Sequence, residues 1–317
     1  MDPIVVVGAG ISGVACARTL ADAALPVVVL DRGHRPGGRM ASPRTHGRPV
    51  DTGASYLTAT DEAFVAVVED WERRGLARRW TDTFHVLAPG EPPATKAGPL
   101  RWGAALGLRS LVADLADGLE VELVTDVTAV TDRLGLAVDG RPATAVVLAM
   151  PDQQARRLLG ADLAPVRDAL DRESEPVLAL TAWWGARGWE LDGAFVNGDD
   201  DLAWVADDGR RRGDDAPVLV AHSTPTLAAA HLEDPQSAAP AMTAALRRLL
   251  DLPEPLGTRL HRWSLARPTG RREAPYLLDE RLVGACGDGW GPIPKVEGAY
   301  LSGRALGRAL ADRLGRA

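Results

Sequence analysis

With 317 residues, 46% of them hydrophobic and 25% charged, the chain has the composition of a globular protein large enough for one core or two linked domains. Its formal net charge of -7 argues against nucleic acid as a partner, because proteins that bind it are usually basic. Two cysteines, Cys16 and Cys286, make neither a disulfide framework nor a metal-ligand pattern, and no run of about 18 apolar residues offers a membrane span; no metal, no membrane partner and a cytoplasmic location are expected.

In chain order, Ile4–Val7 is a β-branched run ending in glycine, as a buried parallel strand should be. It runs on into a glycine motif and so reads as a strand, not as a cleaved leader. Residues 11–23 have helical spacing and 27–30 form a second buried strand, completing a strand–helix–strand unit of about 30 residues. Residues 62–74 and 110–117 predict amphipathic helices. From 120 to 151 short strands alternate with Asp, Gly and Pro, which predicts a small antiparallel insertion closed by a return strand over 145–150. Pro151 then opens a helical stretch. Strand-like pieces alternate with polar loops through 176–265, and a helix runs across 238–251. "LVGACGD" reads as a strand and 297–315 as a long terminal helix. Arg210, Arg211 and Arg212, flanked by Asp207, Asp208, Asp214 and Asp215, read as a solvated loop that neutralises itself.

Gly8-Ala9-Gly10-Ile11-Ser12-Gly13 follows a strand and opens a helix, the context that makes G-x-G-x-x-G a dinucleotide loop. Its glycines let the backbone approach, so that amide N–H groups at the helix N-terminus meet a pyrophosphate. Asp31 ends the second strand, placed for an adenosine ribose. NAD and FAD share this loop, and the segments that follow decide between them. "RPGGRM" at 35–40 supplies Gly37 and Gly38 for backbone approach and Arg39 for a phosphate, and "VDTGASY" follows at 50–56. A flavin extends beyond the pyrophosphate and needs such loops; an NAD-only dehydrogenase does not. Near the C-terminus Asp288 ends a strand, suited to a ribityl hydroxyl. The helix opening near Glu297, Gly298 and Ala299 can aim its positive end at the flavin pyrimidine, with Gly303 permitting close approach.

These segments, with "TDVTAV" and "GDGWGPIPKVEGAYLSG", resemble the amine-oxidase-type FAD oxidoreductases, and within them the bacterial renalase-like proteins. The resemblance implies an α/β fold: a Rossmann-like FAD-binding domain, with a parallel sheet, helices and a small antiparallel insertion, and an inserted α+β substrate domain. The expected limits are 1–58, 103–155 and 280–317 for the FAD-binding domain and 59–102 and 156–279 for the substrate domain. It implies non-covalent FAD that takes hydride at N5 from a small substrate and passes the electrons to oxygen as peroxide. In renalases the substrates are 2- or 6-dihydro isomers of NAD(P)H. The cofactor-binding set it implies, joined to the reading above, is Gly8, Gly10, Ile11, Ser12, Gly13, Asp31, Arg32, Gly38, Arg39, Met40, Gly53, Ala54, Ser55, Val127, Asp288, Val296, Gly298 and Ala299. Val127 would present backbone to the adenine side. The chain departs from the family at Ser55, where glutamine is frequent, and at Gly107-Leu108, where glycine-methionine is common.

Only one dinucleotide loop exists, so a nicotinamide would enter as substrate. Hydride transfer asks the protein chiefly for orientation and exclusion of water. Aromatic wall candidates are Tyr56, Trp102, Trp184, Trp204, Trp263 and Trp290, with core packing as the alternative for each tryptophan. His261 shares a strand face with Trp263 and could hydrogen-bond a carboxamide or phosphate; His222 and His231 have weaker claims. Two other functions fit the same residues. One is an amine oxidase or pathway-specific flavin desaturase, although the two lysines, Lys96 in a proline-rich loop and Lys295 beside the last helix, offer no clear counterpart to the lysine that amine oxidases of this group place near N5. The other is a non-catalytic FAD-binding redox sensor. The sequence leaves the oligomeric state open.

Overall fold

Ile4–Val7 is buried along its whole length and forms the middle of a six-stranded sheet. Val27–Asp31 pairs parallel on one side and Ala145–Leu148 on the other, with Val6 opposite Val29 and Val147. Glu120–Leu123 continues the sheet beyond Val27–Asp31, Val283–Ala285 beyond Ala145–Leu148, and Leu277–Leu278 closes that edge antiparallel. Near-continuous Val/Leu runs are what a strand covered on both faces requires. The computed structural model describes residues 2–270, 272–292 and 294–315; Ile293, within the C-terminal glycine motif, lies outside them.

This sheet belongs to one of two compact units, made of 1–39, 112–174 and 268–317; the other comprises 40–111 and 175–267. In the first unit the helix Ile11–Asp22 packs along the helix Val296–Leu314. They touch where Gly303 lies on the Ser12 carbonyl, so closely that a β-carbon there would collide. The antiparallel insertion is shorter than expected, three two-residue strands, Val130–Thr131, Ala137–Val138 and Arg141–Pro142, because Glu120–Leu123 joins the parallel sheet instead. Pro151 is the N-cap of the helix Asp152–Arg156 and not its first-turn residue.

The second unit is built on seven strands in the order Gly257–Pro268, Ser174–Trp183, Val218–Ser223, Leu202–Asp207, Gly193–Val196, Arg78–Leu87 and Ala94–Gly103. Neighbour side chains alternate between faces. Val205, Leu219 and Ala221 pack in one apolar cluster with Met242, Ala245 and Leu246 of the helix Ala239–Leu250. Trp204 and Ala206 join Phe84, Tyr56 and Trp80 in another. Arg78–Leu87 and Ala94–Gly103 form a long hairpin, so Lys96 lies in a strand and not in the proline-rich loop expected. Pro99 is tolerated there because the strand is an edge, where a missing N–H removes no ladder bond.

Candidate functional site

In the first unit the two glycine motifs close on each other. Gly8 has φ +111 and donates to the Leu30 carbonyl at 2.8 Å, and a β-carbon on it would lie 2.6 Å from the Ala149 carbonyl oxygen. Gly37 donates to the Ala9 carbonyl at 2.8 Å, and Gly38, at φ +51, lies so near Gly10 that an added β-carbon would sit 3.2 Å from its Cα. "RPGGRM" is thus folded onto the first loop and extends one backbone surface. The first loop runs into a helix N-terminus without a side-chain cap, since Gly10 precedes Ile11–Asp22, and the N-terminus of Val296–Leu314, after Lys295, is likewise uncapped. Their first-turn N–H groups, including those of Ile11, Ser12 and Gly298, can therefore meet an external acceptor, and both helices carry positive dipole ends there.

Asp31 orients the loop, since its carboxylate accepts from the Ala9 and Gly33 N–H groups, each at 2.6 Å. A carboxylate has roughly four lone-pair sites, so capacity for a ribose hydroxyl remains. Arg39 and Asp288, expected to meet different parts of a cofactor, form a bidentate ion pair at 2.9 and 2.6 Å that joins the second motif to the C-terminal one. Arg32 is exposed, Val127 is buried in the apolar cluster beside the sheet, and Val296, Gly298 and Ala299 form the first turn of the last helix. Burial pushes the Cys286 thiol up to about 12, and Cys16 is likewise raised, so neither supplies the thiolate that a covalent link would need. Trp290 is buried with its ring 4.0 Å from the Arg272 guanidinium, itself paired to Asp152. It borders a cavity of about 10 Å³, the size of one water, along with Arg39, Met150 and Asp288.

In the second unit the "VDTGASY" segment is held by its carbonyls. Arg211 donates to the carbonyls of Ser55 at 2.9 Å and Asp51 at 3.3 Å. The Thr52 carbonyl accepts from Trp263 Nε1 at 2.9 Å and from His222 Nε2 at 3.1 Å, which assigns the proton of neutral His222 to Nε2. Trp204 Nε1 donates to the Ser55 hydroxyl at 3.0 Å. Met40, Gly53, Ala54 and Ser55, which the resemblance assigns to the cofactor, all belong to this unit.

The arginine run is the main correction to the sequence reading. It is no solvated loop: Asp208–Arg212 is a short helix in which Asp208, Arg211 and Arg212 are buried. Asp208 pairs with Arg48, Arg211 and Arg212, Asp51 with Arg212 at 3.1 Å, and Asp214 with Arg48 at 2.7 Å. Neutralisation within the run holds, but its partners also include Asp51 and Arg48, distant in sequence. Burial disfavours the Asp208 carboxylate, yet the surrounding guanidinium groups outweigh it and hold the carboxyl well below the usual range.

The aromatic candidates separate. Tyr56 and Trp204 stand together, 5.8 Å apart, with Phe84 and Trp80. Trp184 instead packs against Trp189 in the helix-covered core, its Nε1 bonded to the Pro253 carbonyl. Trp102 is buried under Arg79. His261 and Trp263 do share a face, ring centroids 4.5 Å apart, and burial lowers the His261 pKa. His231 bonds the Ser237 hydroxyl on the surface. The sequence named Asp208 and Arg211 only as members of a solvated run, and it gave Asp51 and Thr52 no role beyond the "VDTGASY" motif, where a carboxylate among small residues was the one available signal.

Burial lowers His222 to about 3. Between about pH 6.5 and 3 the unfolded chain binds a proton there that the folded chain refuses, so stability falls as pH drops through that window, by about 1.4 kcal/mol per pH unit. Urea unfolding at pH 7 and pH 5 should show this loss in the wild type and less of it in His222→Gln.

Residues 6–71 match the family model of the NAD(P)-binding Rossmann-like domain. Over 54 residues the chain is 48% identical to polyamine oxidase 4 of Oryza sativa subsp. japonica, a match covering 17% of this chain and 11% of that protein. Over 67 residues it is 39% identical to a putative flavin-containing monoamine oxidase of Mycobacterium tuberculosis, covering 21% and 15%. The sequence matches therefore span about a tenth to a seventh of these relatives' lengths. The whole chain superimposes on cyclohexylamine oxidase from Brevibacterium oxydans IH-35A with a TM-score of 0.78 and 15% identity, covering 99% of this chain and 100% of that one. The chain has the amine-oxidase fold. Within that fold the first unit carries the Rossmann-like loop, and no described helix is long and apolar enough to cross a membrane.

Proposed function

We propose that the chain binds FAD non-covalently and is an oxidoreductase that removes hydride from a carbon bonded to nitrogen. The observation that carries this reading is the continuous backbone surface made by Gly8–Gly13 and Gly37–Gly38, which runs into the uncapped N-terminus of Ile11–Asp22. Gly8, Gly10, Gly13 and the first-turn amides of Ile11 and Ser12 would hold the pyrophosphate, with Arg39 beside it. Asp31 would hold the adenosine ribose, Asp288 the ribityl chain, and the turn Val296–Ala299 the flavin pyrimidine. Bound FAD would supply hydride acceptance at N5 and return of both electrons to dioxygen as hydrogen peroxide. The protein's own part is to orient the donor, exclude water and keep the reacting C–H next to the ring.

The preferred donor is a dihydronicotinamide, as in the renalase-like proteins, whose oxidation leaves an aromatic pyridinium. The sequence similarity to polyamine oxidases favours a second donor class, amines, whose oxidation leaves an iminium. Both lose hydride from carbon next to nitrogen. Anaerobic mixing of the holoprotein with 2- and 6-dihydro-NAD(P) isomers and with a panel of amines separates them: rapid flavin bleaching by the isomers supports the first, bleaching by amines alone the second. No bleaching by either class would leave a redox sensor. Arg39→Ala should weaken FAD retention about tenfold in equilibrium dialysis while leaving the ranking of donors unchanged; a changed ranking with normal retention would place Arg39 on the substrate side.

A further inference from the structure

Arg101 lies on the strand Ala94–Gly103 and is 6% exposed. Its guanidinium carbon sits 3.8 Å from the centroid of the Phe84 ring and 6.0 Å from that of Tyr56. No carboxylate among the described residues pairs with it, and its Nη1 has no hydrogen-bond partner. The buried guanidinium groups of Arg211 and Arg212 in the same unit are matched by Asp208 and Asp51. A buried cation without a counter-ion is costly, and a phenyl face offsets only part of that cost. A second buried donor in the same aromatic cluster is equally unpartnered. Trp80 Nε1 has no acceptor, and its ring centroid lies 5.3 Å from that of Phe84 and 6.2 Å from that of Tyr56. The cluster is not sealed, since Tyr56 and Trp80 are half-buried and Phe195 is 36% exposed.

We propose that Arg101 and Trp80 form an acceptor-binding subsite of the second unit, which takes the carboxylate or phosphate of an anionic hydride donor whose planar body packs on Tyr56 and its neighbours. The proposal rests on the oxidoreductase reading and deepens it. A guanidinium pairs with an oxyanion through a planar fork of N–H groups and repels an ammonium, so the subsite selects against protonated amines and for donors that carry negative charge.

Three probes sharing one phenyl ring test it: benzoate, phenyl phosphate and benzylamine, titrated calorimetrically into the holoprotein at constant ionic strength. The expected result is at least tenfold tighter binding of one or both anions than of benzylamine, the ratio of benzoate to phenyl phosphate naming the preferred oxyanion. Arg101→Met should lose at least tenfold in anion affinity while melting no lower than the wild type. Arg101→Lys, which keeps the charge but not the fork, should lose about fivefold, and it decides the matter if the Met variant does not fold. Benzylamine binding as tightly as the anions, an Arg101→Lys variant with unchanged anion affinity, or an Arg101→Met variant that melts lower yet binds as before would overturn the proposal in favour of a structural cation–π contact. Flavin-free protein that still selects anions would contradict the cofactor assignment alone; yellow protein that ignores all three probes would contradict the subsite alone.

Discussion

Asp208→Ala should lose about 3–5 kcal/mol of folding stability, measured by urea unfolding at pH 7, because it strips the shared counter-ion from buried guanidinium groups. Arg211 has no exposure and Arg212 is 3% exposed, so water cannot take over. Asp51 partly compensates Arg212 at 3.1 Å but lies 3.9 Å from Arg211 Nε. Arg211 also carries the Ser55 and Asp51 carbonyls, so the variant that still folds should show a loosened 51–55 segment, seen as faster amide exchange there. The pH dependence follows from the direction of the shift. A carboxyl whose folded pKa is depressed contributes stability above its unfolded value, near 4, and loses it only as pH falls through the folded value. The Asp208 contribution is therefore constant across the neutral and mildly acid range, whereas the imidazoles of His222 and His261, both lowered by burial, take stability away as pH falls below about 6.5. Destabilisation below 1 kcal/mol would mean that the network is solvated after all.

Gly13→Val should give a protein that retains FAD at least a hundredfold more weakly. A β-carbon at position 13 would run into the Gly8 carbonyl oxygen and lie 2.9 Å from the Ala149 β-carbon, so the loop must open where pyrophosphate would approach its amides. The loop leaves the end of a central strand, with the Gly8 N–H bonded to the Leu30 carbonyl at 2.8 Å, so opening it should lower the melting temperature as well as FAD retention. Equal FAD content in variant and wild type would remove the glycine loop from the cofactor site.

The first loop and its strands were readable because their spacing and periodicity lie within one stretch of sequence, although Ala149, far along the chain, is among the neighbours that demand glycine at positions 8 and 13. Gly8, Asp31 and the Val-rich strands follow one another within a single strand–helix–strand unit. The arginine run misled for the opposite reason. Three adjacent charges beside aspartates look like a solvated face, but Arg211 bonds a carbonyl 156 residues away and Arg48 bonds Asp208 across 160. Nothing local marks such a cluster as buried. The hairpin Arg78–Leu87 with Ala94–Gly103 was invisible because its strands are polar and half exposed over much of their length. Arg101 was hidden with it. Among the aromatic residues, sequence could name Tyr56, Trp184 and Trp204 but could not tell which face of the sheet each would take; strand register put Trp204 beside Tyr56, and Trp184 packs in the helix-covered core.

The most direct measurement is the visible absorption spectrum of the purified protein, taken before and after denaturation and precipitation of the polypeptide. The account predicts an oxidised-flavin spectrum at one FAD per chain, with all of the flavin left in the supernatant. A colourless protein that does not take up added FAD, or a flavin that stays with the precipitated chain, would contradict it.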